Sequence, residues 1–374
     1  MNKIYLFIAA FAVMASLSGC SDTELASIDT AQEKTPIGFH TVGSQMGSRA
    51  TIIISGDMTK TDFKVYAFDD AGKAFMGNKD TDADFGNRNG VHIEYDKTTT
   101  AWGYKNSSDL RYWPDSYLGF YAVSPATFPE DLHLFWKINN DVQQISYTCF
   151  DEYKTTSGNQ NLDVMYAVAK GQRNSNGGKV SLAFKHILSQ VLFKAKTNDD
   201  KLEVEISGIK FHNFQVGGTF TIPVGEPKRT DWTQGGSAQT VSTVGMDQPA
   251  KFTNTGIDVF TKPMLFVPQI LSPWVPSEKN IADADIAKLT YLEICCRIKQ
   301  NDTYLFGKTD FETLYVPFSA TWEPGKRYVY TLIFGGGYDK EGHAILTPIN
   351  FTASAEEWKA DTGNSTNGND IVTQ

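Results

Sequence analysis

Short runs of alternating apolar and polar residues constrain this chain more than any other feature. Phe63-Lys-Val-Tyr-Ala-Phe68, Val180-Ser-Leu-Ala-Phe184, Leu202-Glu-Val-Glu-Ile206 and Tyr328-Val-Tyr-Thr-Leu-Ile-Phe334 are rich in β-branched and aromatic side chains. Period two sends successive side chains to opposite faces, which suits a half-buried strand and not a helix. Turn-forming stretches separate such runs: Gly86-Asn-Arg-Asn-Gly90, Asn174-Ser-Asn-Gly-Gly178 and Gly335-Gly-Gly337. Long helical periodicity is absent. Two short segments, 185–189 and 354–358, read as helices, the second with Ser354 and Glu357 at capping-box spacing. The expected fold is all-β, with many short strands and long polar loops forming antiparallel sandwiches. One strand series ends at Phe184 and another begins at Val191-Leu-Phe-Lys-Ala195. A boundary there divides the chain into two sandwiches in tandem, residues 35–187 and 188–374, each of ordinary domain size.

The beginning of the chain reads differently. Lys3 precedes an apolar run over 4–17, which has the length of a secretory core and is too short to span a bilayer. The run ends in Leu17-Ser18-Gly19-Cys20, which resembles a bacterial lipobox. That resemblance implies cleavage before Cys20 and acylation of its thiol. Residues 1–19 are then a lipoprotein signal peptide, and the polar residues 20–34 a tether to the outer membrane. Asp22 and Glu24 loosely resemble a surface-export signal of Bacteroidetes lipoproteins; a solvated linker explains them equally well.

With 34 basic and 43 acidic residues the net charge is −9, and no basic tract occurs. Nucleic acid is excluded as a partner, because neutralising phosphates needs clustered Lys and Arg. If Cys20 carries lipid, Cys149, Cys295 and Cys296 remain, an odd set unlike a disulfide framework. Cys295 and Cys296 are adjacent on a strand and point to opposite faces, so one is expected to be a small buried residue. The sequence has no Gly-x-Ser-x-Gly elbow, and Gly307-Lys308-Thr309 lacks the upstream glycine of a phosphate loop. Asp80, Asp82 and Asp84 are spaced like the first half of a calcium loop. The glycine falls one place late, at Gly86, and Val91 stands where the bidentate Glu belongs. Glu203 and Glu205 share one strand face and point to solvent, and His186 is read as a structural histidine at a strand end. No metal, cofactor or catalytic residue is assigned, and the chain reads as a non-enzyme. Aromatic residues crowd 102–121, and Trp102 and Trp113 are candidates for a glycan platform, with strand packing as the commoner use of such residues.

Several blocks taken together resemble a family. Ser48-Arg49-Ala50-Thr51 precedes the 63–68 run. Tyr112-Trp-Pro114 leads to Leu118-Gly-Phe-Tyr-Ala-Val-Ser-Pro125, and Asp163-Val-Met-Tyr-Ala167 precedes 180–190. Leu265-Phe-Val-Pro-Gln269, Trp322-Glu-Pro-Gly-Lys-Arg-Tyr-Val-Tyr-Thr331, Ile349-Asn-Phe351 and Trp358 follow. The order and spacing resemble the fimbrillin family of Bacteroidales, in its Mfa-like and fimbrillin-like branch, from about residue 35 onward. The resemblance implies two transthyretin-like sandwiches, assembly with other fimbrillin subunits into type V pili, and a role in adhesion to a host or bacterial surface receptor. It also implies donor-strand exchange: a trypsin-like protease cuts after an Arg, the first strand leaves with the lipid, and another subunit's strand fills the groove.

The residues accommodate that scheme. Ile37, Phe39 and Thr41 alternate in Pro36-Ile-Gly-Phe-His-Thr-Val42, giving a removable strand with one apolar face. The Gly/Ser-rich segment 43–48 ends at Arg49, and 51–55 reads as the next strand, so Arg49 and Ala50 flank an exposed processing site. Two outcomes stay open here: cleavage after Arg49, or an intact loop with Cys20 as a permanent anchor. At the other end, 343–352 alternates Ile345, Thr347, Ile349 and Phe351, while 364–374 offers only Ile371 and Val372 as apolar plugs. That favours a tip or accessory subunit over a stalk subunit. The rival reading is a surface glycan-binding lipoprotein of a polysaccharide-uptake system.

Overall fold

The computed structural model describes residues 34–42, 58–77, 89–128, 134–148, 152–154, 162–235, 239–244, 249–260, 263–283, 286, 288–346 and 350–358. Among them there is no α-helix, and strands joined by turns and short 3-10 segments make up the fold. The four alternating runs lie in strands, except that Phe184 falls one residue past the end of its own.

The first half of the chain contributes β1 (Gly38–Val42), β2 (Asp62–Asp69), β3 (Val91–Asp96), β4 (Ala101–Tyr104), β5 (Leu118–Ser124), β6 (Leu134–Ile138), β7 (Gln143–Thr148), β8 (Met165–Gly171), β9 (Lys179–Ala183) and β10 (Lys185–His186). One sheet runs in the order β10-β8-β5-β2-β3-β4, antiparallel throughout. The pair β1 and β9 forms a separate parallel ribbon. Alternation along β5 explains how the layers stack. Leu118, Phe120 and Ala122 face one way, toward a core that includes Ile37, Phe39, Val180 and Leu182. Val123 and the partly buried Tyr121 face the other way, into a larger core shared with Trp136, Ile145 and Tyr147 of β6 and β7.

The second half adds β11 (Ser189–Thr197), β12 (Leu202–Phe214), β13 (Gly217–Thr221), β14 (Tyr291–Gln300), β15 (Glu312–Pro317), β16 (Lys326–Phe334) and β17 (Asn350–Glu357). β11 and β16 pair in parallel from Gln190↔Arg327 to Thr197↔Phe334, and β17 pairs antiparallel with β16. The long strands β12, β14 and β15 pair antiparallel at the centre of another sheet. Phe193, Phe211, Phe214, Phe318 and Trp322 fill the space between these sheets with ring contacts. The larger core is continuous through Ile187 and Leu188, and β13 pairs with β7, so the two halves are joined by apolar packing and by a strand ladder.

The two expected helices are corrected. Lys185–His186 pairs with β8 as a strand, and Ser354 to Glu357 continue the ladder to β16. Local capping spacing at Ser354 and Glu357 is outweighed by eight residues of strand pairing, a case of tertiary context overriding propensity. Of Gly335-Gly-Gly337, expected to turn, the last two residues lie in a short strand, Gly336–Tyr338.

Candidate functional site

Pairing around β1 is lopsided. Its one ladder partner among the described residues is β9, in register Gly38↔Lys179 to Val42↔Ala183. On its other side only the start is held: the Ile37 N–H donates to the Arg111 carbonyl at 2.9 Å, and the Trp113 N–H to the Thr35 carbonyl at 3.0 Å. Side chains alternate as the sequence predicts. Ile37 and Phe39 are buried, Thr41 is half-buried, and His40 and Val42 are exposed.

The apolar face of β1 closes the smaller core. The Phe39 ring meets Phe63 at 6.1 Å, Tyr104 at 5.8 Å and Phe120 at 6.5 Å, all edge to face. Tyr104 donates its hydroxyl to the Ile37 carbonyl at 2.9 Å, and burial pushes the phenol up to about 12, so it stays a donor. The Trp102 indole N–H reaches the Thr41 hydroxyl at 3.3 Å. Gly178 admits the incoming chain: its φ is +81, in the left-handed region, and a Cβ there would lie 2.8 Å from Thr35 Cγ2.

Burying Ile37 and Phe39 contributes roughly 3 to 6 kcal/mol together. Ordering the five residues of β1 costs roughly 5 to 10 kcal/mol of backbone entropy. Ladder bonds, at about 1 kcal/mol each, bring the balance close to zero.

Cys20, Arg49, Ala50, the 51–55 strand, Asp80, Asp82, Asp84, Cys149, Ile371 and Val372 lie outside the described residues. The platform reading of the aromatics needs correction. Trp113 is buried and spends its indole N–H on the Gly178 carbonyl at 2.7 Å. Trp102 is half-buried between Phe63 and Tyr95. Both serve packing around β1, because this side of the sheet is covered by the ribbon and not by solvent. Tyr104 as a clamp on β1 was not legible: nothing local marks it apart from its neighbours, and its partner is distant in sequence.

Elsewhere, His186 stacks on Trp358 at 4.0 Å and places Nδ1 3.0 and 2.9 Å from the two oxygens of fully buried Asp163. Burial pushes the Asp163 carboxyl up, against the pull of His186. Cys296 is buried, and burial raises its thiol well above the ordinary range; Cys295 on the opposite face is half-buried. Glu203 and Glu205 point outward into a cross-strand ion array with Lys251, Arg297 and Lys299. None of these groups brings a nucleophile and a base together.

A family model described as fimbrillin-like matches residues 48–358. The chain belongs to the fimbrillin-like family. No curated protein sequence matches it. Among solved structures, a fimbrial protein from Bacteroides vulgatus is similar over 87% of this chain and 99% of its own, at 15% identity and a TM-score of 0.53. A candidate cell adhesion protein from Parabacteroides distasonis covers 88% and 98% at 10% identity, with a TM-score of 0.48. Another, from Bacteroides ovatus, covers 87% and 98% at 15% identity, with a TM-score of 0.45. The Bacteroides vulgatus likeness supports the all-β fold of this fimbrillin-like chain. Membership makes it a fimbrial subunit of the cell surface by class, in a family of structural proteins and not of enzymes.

Proposed function

We propose that this fimbrillin-like chain is a pilus subunit made as a lipoprotein, anchored through Cys20 to the outer membrane, and assembled by donor-strand exchange. Cleavage between Arg49 and Ala50 frees β1 together with the lipid. The observation that carries the reading is the one-sided ladder of β1 over a core that it closes with Ile37 and Phe39. Departure of β1 strands the edge of β9 and uncovers Phe63, Tyr104 and Phe120. A strand from another subunit restores both backbone pairing and apolar contact.

Residues 35–187 and 188–374 are proposed as two sandwiches, stitched by the β7–β13 ladder. A tip or accessory role fits the polar residues 364–374 better than a stalk role. The test is digestion of the precursor with a trypsin-like protease, followed by sequencing of the new N-terminus. The reading expects Ala50; resistance to the protease, or cutting elsewhere, contradicts it. The rival glycan-uptake reading loses Trp113 as a platform, because that ring is buried.

A further inference from the structure

A cavity of about 260 Å³ opens on the other face of the first sheet, at the rim between that sheet and the turn joining β6 to β7. Its floor exists because β5 carries Gly119 where a side chain would otherwise project. A Cβ there would meet nothing nearer than the Phe68 carbonyl oxygen at 4.0 Å. Phe68 and Tyr121 flank this floor with rings 6.1 Å apart at 72°, making a corner with aromatic surface on two sides.

The opposite wall is made of amides. Gln143 Nε2 donates to the carbonyls of Asn139 at 2.6 Å and Asn140 at 3.1 Å, so Oε1 is its remaining acceptor. Asn139 Oδ1 accepts from the N–H groups of Asp141 and Val142, which leaves Nδ2 as the donor. The turn after β2 is drawn tightly against this wall. Gly72 has φ +78, a conformation that glycine adopts without strain, and a Cβ on it would lie 2.1 Å from Asn140 Oδ1. At the mouth, Lys170 Nζ pairs with Asp70 at 2.8 Å, and these charges offset each other. Asp69 adds one carboxylate, its Oδ1 accepting from Ala71 and Lys73.

The geometry points to a binding site for a neutral saccharide, one sugar ring deep. Hydroxyl groups both donate and accept, and they match a wall that offers amide donors and acceptors side by side. The C–H face of a sugar ring suits the aromatic corner. The volume lies just under the roughly 300 Å³ at which pockets for drug-sized ligands begin, which fits a single ring or a chain end. An anionic sugar is disfavoured, because the one lysine is already matched and Asp69 adds negative charge. This site lies away from β1 and requires neither cleavage nor assembly, so it stands or falls independently of the donor-strand reading.

Saturation-transfer-difference NMR on the uncleaved protein provides the test, with glucose, galactose, mannose and N-acetylglucosamine as probes and N-acetylneuraminic acid as the anionic comparison. The site predicts transfer from at least one neutral sugar, about tenfold weaker binding in Gln143→Ala, and none in Gly119→Leu, whose side chain fills the hollow. Trp102→Phe, on the opposite face, binds as the parent does. Circular dichroism checks that Gly119→Leu folds; if it does not, Gln143→Ala and Asn139→Ala decide. Absence of transfer from every neutral sugar, equal transfer in the pocket variants, or a preference for N-acetylneuraminic acid overturns the proposal.

Discussion

Asp62 joins three parts of the chain through one carboxylate. It stands at the start of β2, faces His92 Nε2 of β3 at 2.7 Å, and accepts from the N–H groups of Ala126 and Thr127 at 2.9 and 3.0 Å. Burial alone would raise its pKa, but the hydrogen bonds from His92 and Thr127 outweigh it and hold the group at about 2, against 3.8 for the free side chain. A depressed carboxylate stabilises the fold above its unfolded pKa and loses that contribution as pH falls. Asp62→Ala is therefore expected to lose about 2 kcal/mol at pH 7, with the gap to the parent closing between about pH 4 and pH 2 in urea titrations. His186 makes a second residue-scale case. Removing it leaves Asp163 buried without its imidazole, and His186→Ala should cost about 3 kcal/mol by the same assay. A structural role for His186 was legible from its place at a strand end. Its partners were not, since Asp163 and Trp358 approach it only through the fold.

At the scale of elements, β1 is a strand whose sequence and setting agree. The alternation of Ile37, Phe39 and Thr41 predicted its inward face, and the inward face is where Ile37 and Phe39 are found. What alternation could not supply was the partner, because a parallel pairing with β9 depends on a crossover and not on a turn. The same limit explains the helices expected near 185 and 354, where short-range capping and turn signals carried no knowledge of β8 and β16. Phe39→Ala should destabilise the intact chain by about 3 kcal/mol, through lost contact with Phe63, Tyr104 and Phe120. Gly178→Ala should also destabilise, since it combines φ +81 with a 2.8 Å approach to Thr35. Thermal melts of both variants check this. If β1 is the exchangeable element, the Gly178→Ala effect shrinks in protein from which residues 20–49 have been removed, because Thr35 leaves with them.

For the whole molecule, the all-β class followed from strand periodicity, and the family from the order of blocks between Ser48 and Trp358. The cavity above Gly119 was invisible beforehand, because its lining comes from turns and strands that meet only after folding. One sheet thus has two unlike faces: a ribbon-covered face closed by β1, and an open rim with the cavity above Gly119. The central claim is that β1 is held by covalent attachment and yields to another strand once the chain is cut. Native mass spectrometry after digestion with a trypsin-like protease tests this most directly. The account predicts a chain beginning at Ala50, free of residues 20–49 and recovered in complexes with another subunit. An uncut chain, or a nicked monomer that keeps its first strand in the presence of other fimbrillin subunits, would contradict it.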